Sequence, residues 1–232
     1  MNKSRNILIS LAVKYNGEWD LIRRGVVKGE GDPNFECNLN AITILDDDYP
    51  IELFDLDRTP FVLFYKGNLE LLKNDKIGIT GCRNASEYSK SATENFIANN
   101  KDKTFVSGLE GGISTVVHQS TGSTIAVLDN GINIIPFFEE RTLYKMIEQR
   151  GLLISEYPKE KKLTESVADA RNRIIAALSN ELVIMEMKEH SDKLSTLSCA
   201  EELDRDVKVL EFPDESNSVI NNRLIKNSAE KL

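Results

Sequence analysis

Residues 76–86 read KIGITGCRNAS: a short β-branched run, Ile77 to Thr80, ends in Gly81 and passes through Cys82, Arg83, Asn84 and Ala85 to Ser86, a residue type that caps helices. A glycine directly after a strand lets the backbone approach a ligand, and the helix that follows presents unpaired N–H groups and a positive dipole end. Runs of the same kind recur at Thr104 to Ser107, Thr124 to Asp129, Leu152 to Ser155, Glu181 to Met187 and Val207 to Phe212. Between them lie helical patterns near Ser86 to Asn99, Leu143 to Arg150, Ala170 to Leu178 and Leu194 to Asp204, the last with Leu194, Leu197, Ala200 and Leu203 at near-helical spacing. This alternation predicts an α/β fold with a mainly parallel sheet and crossover helices. The runs are apolar on both faces, as in Ile125, Ala126, Val127 and Leu128, so helices are expected to cover the sheet on each side.

Upstream, two helices are expected around Lys3 to Tyr15 and Glu18 to Val27, followed by a Gly, Asp and Pro break at Gly29 to Pro33. We therefore divide the chain into a small helical N-terminal cap, residues 1–45, and an α/β domain, residues 46–232. A chain of 232 residues, 41% of them hydrophobic, can bury a sizeable core. No window approaches the roughly 18 apolar residues of a membrane span. Cys37, Cys82 and Cys199 are widely spaced and form no CxxC pair, which argues against structural zinc or a disulfide framework and fits a reducing cytoplasm. With 37 Asp and Glu against 29 Lys and Arg, the net charge of −8 argues against coating duplex DNA through a broad basic face. Any contact with nucleic acid must be local.

Four strand exits carry candidate chemistry. Gly81 and Arg83 outline a phosphate site, with Arg83 as a bidentate partner, or an ordinary turn capped by Ser86. Ser107, Gly108, Leu109, Glu110, Gly111 and Gly112 form a glycine-rich loop whose amides can face an anion, or a tight turn that needs positive φ; His118 follows in the next helix as a ligand contact or a packed residue. Arg171, Asn172 and Arg173 lie on a helix after Ser155, Glu156, Tyr157 and Pro158, and two residues apart on a helix point to different sides, so one arginine binds while the other packs or pairs. Lys188, His190, Ser191, Asp192, Lys193 and Ser195 form the fourth exit, a phosphate site through Lys193 or a solvated loop. All four lie at carboxyl ends of predicted parallel strands, where open α/β sheets bind ligands.

The order of these segments resembles the DNA-processing protein A (DprA/Smf) family over about Thr43 to Ala229. The resemblance rests on Asp48, Tyr49 and Pro50, the run Pro60 to Asn68, Gly81 and Arg83, Ser107 to Leu109, His118, Thr124 to Leu128, Gly131, Ser155 to Pro158, Arg171 to Ile175, Ser191 and Leu194, and Asn222, Leu224 and Ile225. It implies an extended Rossmann-like domain that binds single-stranded DNA, forms a homodimer and delivers DNA to a RecA-type recombinase in DNA uptake and recombination, without enzymatic activity or a cofactor. Strand exits and resemblance together give a candidate DNA- or phosphate-binding set of Lys66, Gly81, Arg83, Ser107, Gly108, Gly111, His118, Arg171, Asn172, Arg173, Ser191 and Lys193. The chain departs from the family pattern at Gly111, where an arginine is usual, at Ser114, in the Asp192 and Lys193 pair, and in a stretch from His118 to Thr124 about one helical turn shorter. Phe-Pro before Arg171 and a C-terminal winged-helix-like domain are also absent from the sequence.

A second function class stays open: the same strand exits can cradle one pyrophosphate, so a sensor of a nucleotide or nucleotide-derived ligand is the alternative. An enzymatic reading through Glu156 and Glu186 as a carboxylate pair lacks sequence-local partners, and the Pro-Gly-Gly-x-Gly-Thr segment of nucleotide-cleaving relatives is absent.

Overall fold

Alternate residues along each central strand are buried on opposite faces of one sheet, so neither face of β3 to β7 is left to solvent. Phe64, Ala126 and Leu153 pack on one face, while Leu63, Ile125, Val127, Leu152 and Ile154 pack on the other. The computed structural model describes residues 2–135, 140–189, 191, 193–213, 219–227 and 229–232; His190 and Asp192 lie outside the described residues. The strands are β1 (Ala41–Thr43), β2 (Val62–Gly67), β3 (Lys76–Gly81), β4 (Thr104–Ser107), β5 (Thr124–Val127), β6 (Leu152–Ser155), β7 (Glu181–Glu186), β8 (Asp206–Val209) and β9 (Glu230–Lys231). Their order across the sheet is β1-β2-β6-β5-β4-β3-β7-β8-β9. From β6 to β9 every neighbouring pair is parallel, whereas β2 is antiparallel to both β1 and β6.

The helices are α1 (Lys3–Lys14), α2 (Trp19–Val27), α3 (Glu87–Asn99), α4 (Ile113–Ser120), α5 (Arg141–Arg150), α6 (Glu165–Leu178), α7 (Leu194–Glu202) and α8 (Val219–Lys226), with short 3-10 turns at Ile51–Asp55 and Leu69–Lys73. The expected α/β fold with its mainly parallel sheet is therefore present, and the predicted runs after Lys76 become β3 to β8. Ile97 of α3 and Ile113 and Val117 of α4 cover one face beside Ile77, Ile79 and Phe105. Ile174, Ile175, Ala177 and Leu178 of α6 cover the other. Truncating such a residue, for example Ile154→Ala, removes about 2–5 kcal/mol of stability, because a packed core relaxes only partly around the cavity.

Two local readings differ from expectation. Leu8, Ile9, Leu11 and Ala12 of α1 and Ile22 of α2 share one apolar cluster with Phe64 and Leu153, and Ala41–Thr43 pairs with β2, so the sheet begins before residue 46. In addition, α6 starts at Glu165 after Thr164, so Arg171 and Arg173 sit in its second and third turns rather than at its opening.

The chain runs from β3 outward through β4, β5 and β6, then returns over α6 to β7 on the other flank of β3. The crevice between the β3 and β7 exits is thus the topological switch point, the place where an open α/β sheet leaves room for a ligand.

Candidate phosphate-binding cleft

A cleft of about 970 Å³ opens at that switch point, lined by Gly81 to Asn84, Glu110, Asp129, the start of α6, Arg171, Lys188, Ser191 and Lys193 to Ser195. Two interlocked turns build its wall. The Cys82 amide donates to the Glu186 carbonyl at 2.8 Å, and the Cys82 carbonyl accepts from the Ile113 amide at 3.2 Å. Gly112, at φ +62°, passes so close that a Cβ would lie 2.1 Å from the Cys82 carbonyl oxygen, so only glycine fits. Gly81 ends β3 against Ile113. Arg83 stands exposed at the rim, its stem over Gly111 and its Nε donating to the Glu110 carbonyl at 2.7 Å.

Three more cations reach the cleft from other elements. Arg171 on α6 donates through Nη1 to Asp129 at 2.8 Å and through Nε and Nη2 to Asn172 Oδ1, with Nη2 3.5 Å from Glu110 Oε1. Asn172 in turn donates to Ser195 Oγ at 2.8 Å, tying α6 to α7. Lys193, at the start of α7, is nearly enclosed and sets its ammonium against Glu110 Oε1. Lys188 is exposed and donates to the Asn84 carbonyl at 3.2 Å. Ser191 accepts from the Lys193 amide, and the amide ends of α6 and α7 both border the cleft. Against these cations stand Glu110, Asp129, Glu165 and Asp169, so the lining is charge-balanced.

Several predicted residues serve other ends. His118 is completely enclosed: Nε2 meets the Gly108 carbonyl at 2.6 Å and Nδ1 meets Thr124 Oγ1 at 2.7 Å. A carbonyl can only accept, so Nε2 carries the proton and Nδ1 accepts from the threonine. Burial pushes the imidazole down to about 4, although the Gly108 bond opposes this, and the ring is a neutral strut that holds the glycine loop rather than a ligand contact. Ser107 is likewise buried and donates to the Ile79 carbonyl at 2.7 Å, and Gly108 offers its carbonyl to His118. Lys66 is removed from the cleft altogether: β2 runs antiparallel, so its C-terminal end lies beside the start of β6, on the opposite edge of the sheet. There Lys66 pairs with Glu148 at 3.3 Å and lies over the Tyr144 ring.

Arg173 points away from Arg171, as the helical spacing requires, into a second cleft of about 1010 Å³ between α2, α6 and α7. Its Nη1 and Nη2 donate to the two Glu156 oxygens at 2.7 Å each, and Nη2 also reaches the Arg58 carbonyl at 3.0 Å. The helix start after β3 is also taken. Burial alone would raise the Glu186 carboxyl, but the Ser89 and Ser86 hydroxyls, at 2.6 and 2.7 Å, and the Ser86 amide, at 2.8 Å, outweigh it and hold the group below its usual range. Glu156 and Glu186 thus belong to separate networks and form no pair. Sequence reasoning singled out neither Glu110 nor Asp129; the available signal for Glu110 was a carboxylate inside the loop read as an anion cradle.

Among the described residues, no helix is long and apolar enough to cross a membrane, and no group of three or more His, Cys, Asp or Glu side chains is placed to hold a metal. The sequence profile described as DNA recombination-mediator protein A matches residues 40–232. DNA processing protein DprA of Streptococcus pneumoniae is 37% identical over 172 residues, which span 72% of this chain and 61% of that protein. Protein Smf of Synechocystis is 36% identical over 208 residues, 83% of this chain and 51% of that protein. The chain therefore spans about half to three-fifths of these relatives. The X-ray structure of the Streptococcus pneumoniae protein superimposes with a TM-score of 0.81 at 28% identity, covering 100% of this chain and 91% of that one. DNA processing protein A of Helicobacter pylori, a structure described for its unique single-stranded DNA binding mode, superimposes with a TM-score of 0.75 at 25% identity over 84% of this chain and 91% of that one.

Proposed function

We propose, because this chain belongs to the DNA recombination-mediator protein A family, that the cleft at the β3 and β7 exits binds the backbone phosphates of single-stranded DNA. One observation carries the reading: Arg83, Arg171 and Lys193 arrive from three separate elements and converge on one cleft bordered by two helix N-termini. The sequence spacing leaves these residues far apart, and only the fold unites them. Phosphate contacts hold a strand without reading its bases, so binding is largely sequence-tolerant. Delivery of the strand to a RecA-type recombinase, a homodimer, a cytoplasmic location and the absence of catalysis belong to the same proposal and rest on the family.

Of the candidate residues, Gly81, Arg83, Arg171, Ser191 and Lys193 border the phosphate path, and Gly111 lies beneath the Arg83 stem on the side of the neighbouring hollow. Gly108, Ser107, His118 and Asn172 act behind it as supports. The decisive titration uses oligo-dT and a mixed-sequence strand against the wild type and Arg83→Ala. Arg83 is exposed, so stability stays unchanged, while affinity falls roughly tenfold for both strands and the log–log salt slope flattens by about 0.7. Unchanged affinity and slope in Arg83→Ala would remove this cleft from the DNA path. The charge balance of the lining favours a second reading, a single nucleotide at the switch point; saturable nucleotide binding without oligo-dT binding would select it.

A further inference from the structure

Glu110 is bonded differently from Glu156 and Glu186, the two carboxylates buried nearby. Glu156 is matched oxygen for nitrogen by Arg173, and one oxygen of Glu186 receives three hydrogen bonds. Glu110 instead turns back beneath Gly108, so close that a Cβ there would lie 1.9 Å from its Oε2, and that oxygen is buried without a hydrogen-bond partner. Leaving an acceptor in that condition is unfavourable, and more so for a charged group. The other oxygen occupies the focus of the cleft, against Lys193 and 3.5 Å from Arg171. A carboxylate so placed and so incompletely bonded stands where an oxygen of a bound phosphate would make the same ion pairs. Glu110 also borders a neighbouring hollow of about 600 Å³, on the far side of Arg83, with room to receive a displaced side chain.

We propose that Glu110 is an internal stand-in for a ligand phosphate, so that a strand binds only by exchanging its phosphate for this carboxylate, which turns into the adjacent hollow. Glu110 is then the residue that sets the affinity of the cleft. The proposal rests on the phosphate reading of the cleft but not on which phosphate ligand fills it. It fits a chain of net charge −8: the cleft lining is charge-balanced at rest and becomes cationic only when the glutamate leaves. Removing the competitor strengthens binding, whereas a residue that contacts ligand would weaken it when removed.

The test titrates the full chain with oligo-dT and, separately, with inorganic pyrophosphate, for the wild type, Glu110→Gln and Glu110→Ala. The expected result is folded protein with affinity raised about tenfold or more, the scale of one charge-assisted hydrogen bond no longer to be displaced. Equal or weaker binding of both ligands by both folded variants overturns the proposal. So does failure of both variants to fold, which would make the carboxylate an obligatory structural counter-charge. A gain for pyrophosphate with no oligo-dT binding by any protein upholds the role of Glu110 and removes the single-stranded DNA reading. Oligo-dT binding that Glu110 substitutions leave unchanged, together with unchanged pyrophosphate binding, does the reverse.

Discussion

Arg171 and Arg173 stand two residues apart on α6 and serve clefts of nearly equal volume, about 970 and about 1010 Å³, in opposite ways. The Arg173 fork is closed on both oxygens of Glu156, and the surrounding wall, with Glu18, Asp20, Asp55, Asp57 and Glu202, is predominantly acidic. Around Arg171 the cations share Glu110, whose second oxygen has no hydrogen-bond partner. On the proposed function, the geometry of pairing, rather than the number of arginines, separates a clamp that ties α6 to the exit of β6 from a surface that exchanges partners. A bidentate pair in a half-dry crevice is structural because removing either half strands a charge.

The sharpest break in this contrast is Arg173→Ala. It leaves Glu156, with its side chain only 7% exposed, without its guanidinium, and a loss of about 3–5 kcal/mol in urea unfolding is expected. Oligo-dT affinity of the protein that remains folded should not change. Lost DNA affinity at unchanged stability would exchange the roles assigned to the two clefts.

The next effect concerns the strut behind the first cleft. The His118 imidazole titrates at about 4 in the folded chain against 6.5 in the open chain, so the unfolded state takes up the proton first as pH falls. Its contribution is whole above pH 6.5, declines toward pH 4 and is gone below. The full span is roughly 3 kcal/mol, since each pKa unit is worth about 1.4 kcal/mol. Urea midpoints of the wild type and His118→Asn across that window should converge at the acid end; parallel curves would mean that the ring carries no such coupling. The smallest effect belongs to Lys188, which is exposed and bonded only loosely. Replacing it by Ala should lower oligo-dT affinity roughly threefold at low salt and leave the unfolding midpoint in place. A loss as large as that of Arg83→Ala would place Lys188 at the centre of the site rather than at its rim.

β3 to β7 were legible because each is a run buried almost throughout on both faces, whereas β8, with Asp206 exposed and Lys208 half-buried, was legible from its place in the alternation of strands and helices. β1 spans three residues and β9 two, too few for any periodicity, and β2 was visible only as part of a family-like run. The early start of α6 was hidden because Thr164, Glu165 and Ser166 carry polar side chains before the apolar face begins at Val167. In the site, glycines and cations at strand exits could be read from position alone. Their partners could not: Lys193 and Glu110 are 83 residues apart, and Ser86 and Glu186 are 100. Whether a helix start stays open to an anion or is filled from within depends on such distant meetings. The antiparallel course of β2, which carries Lys66 to the far edge, likewise follows from topology and not from any local signal.

The chain has a single tryptophan, and its indole joins α2 to the segment that leads into β2: Trp19 Nε1 donates to the Thr59 carbonyl at 2.8 Å, and the ring stacks on Phe61 at 5.4 Å with Arg58 over it at 5.6 Å. Intrinsic fluorescence of this protein is therefore a local optical gauge of how the N-terminal helices sit, and it is silent about events in the first cleft. Because α1 and α2 share an apolar cluster with Phe64 and Leu153, emission and far-ultraviolet dichroism should trace one coincident melting curve, the signature of helices that come undone together with the sheet.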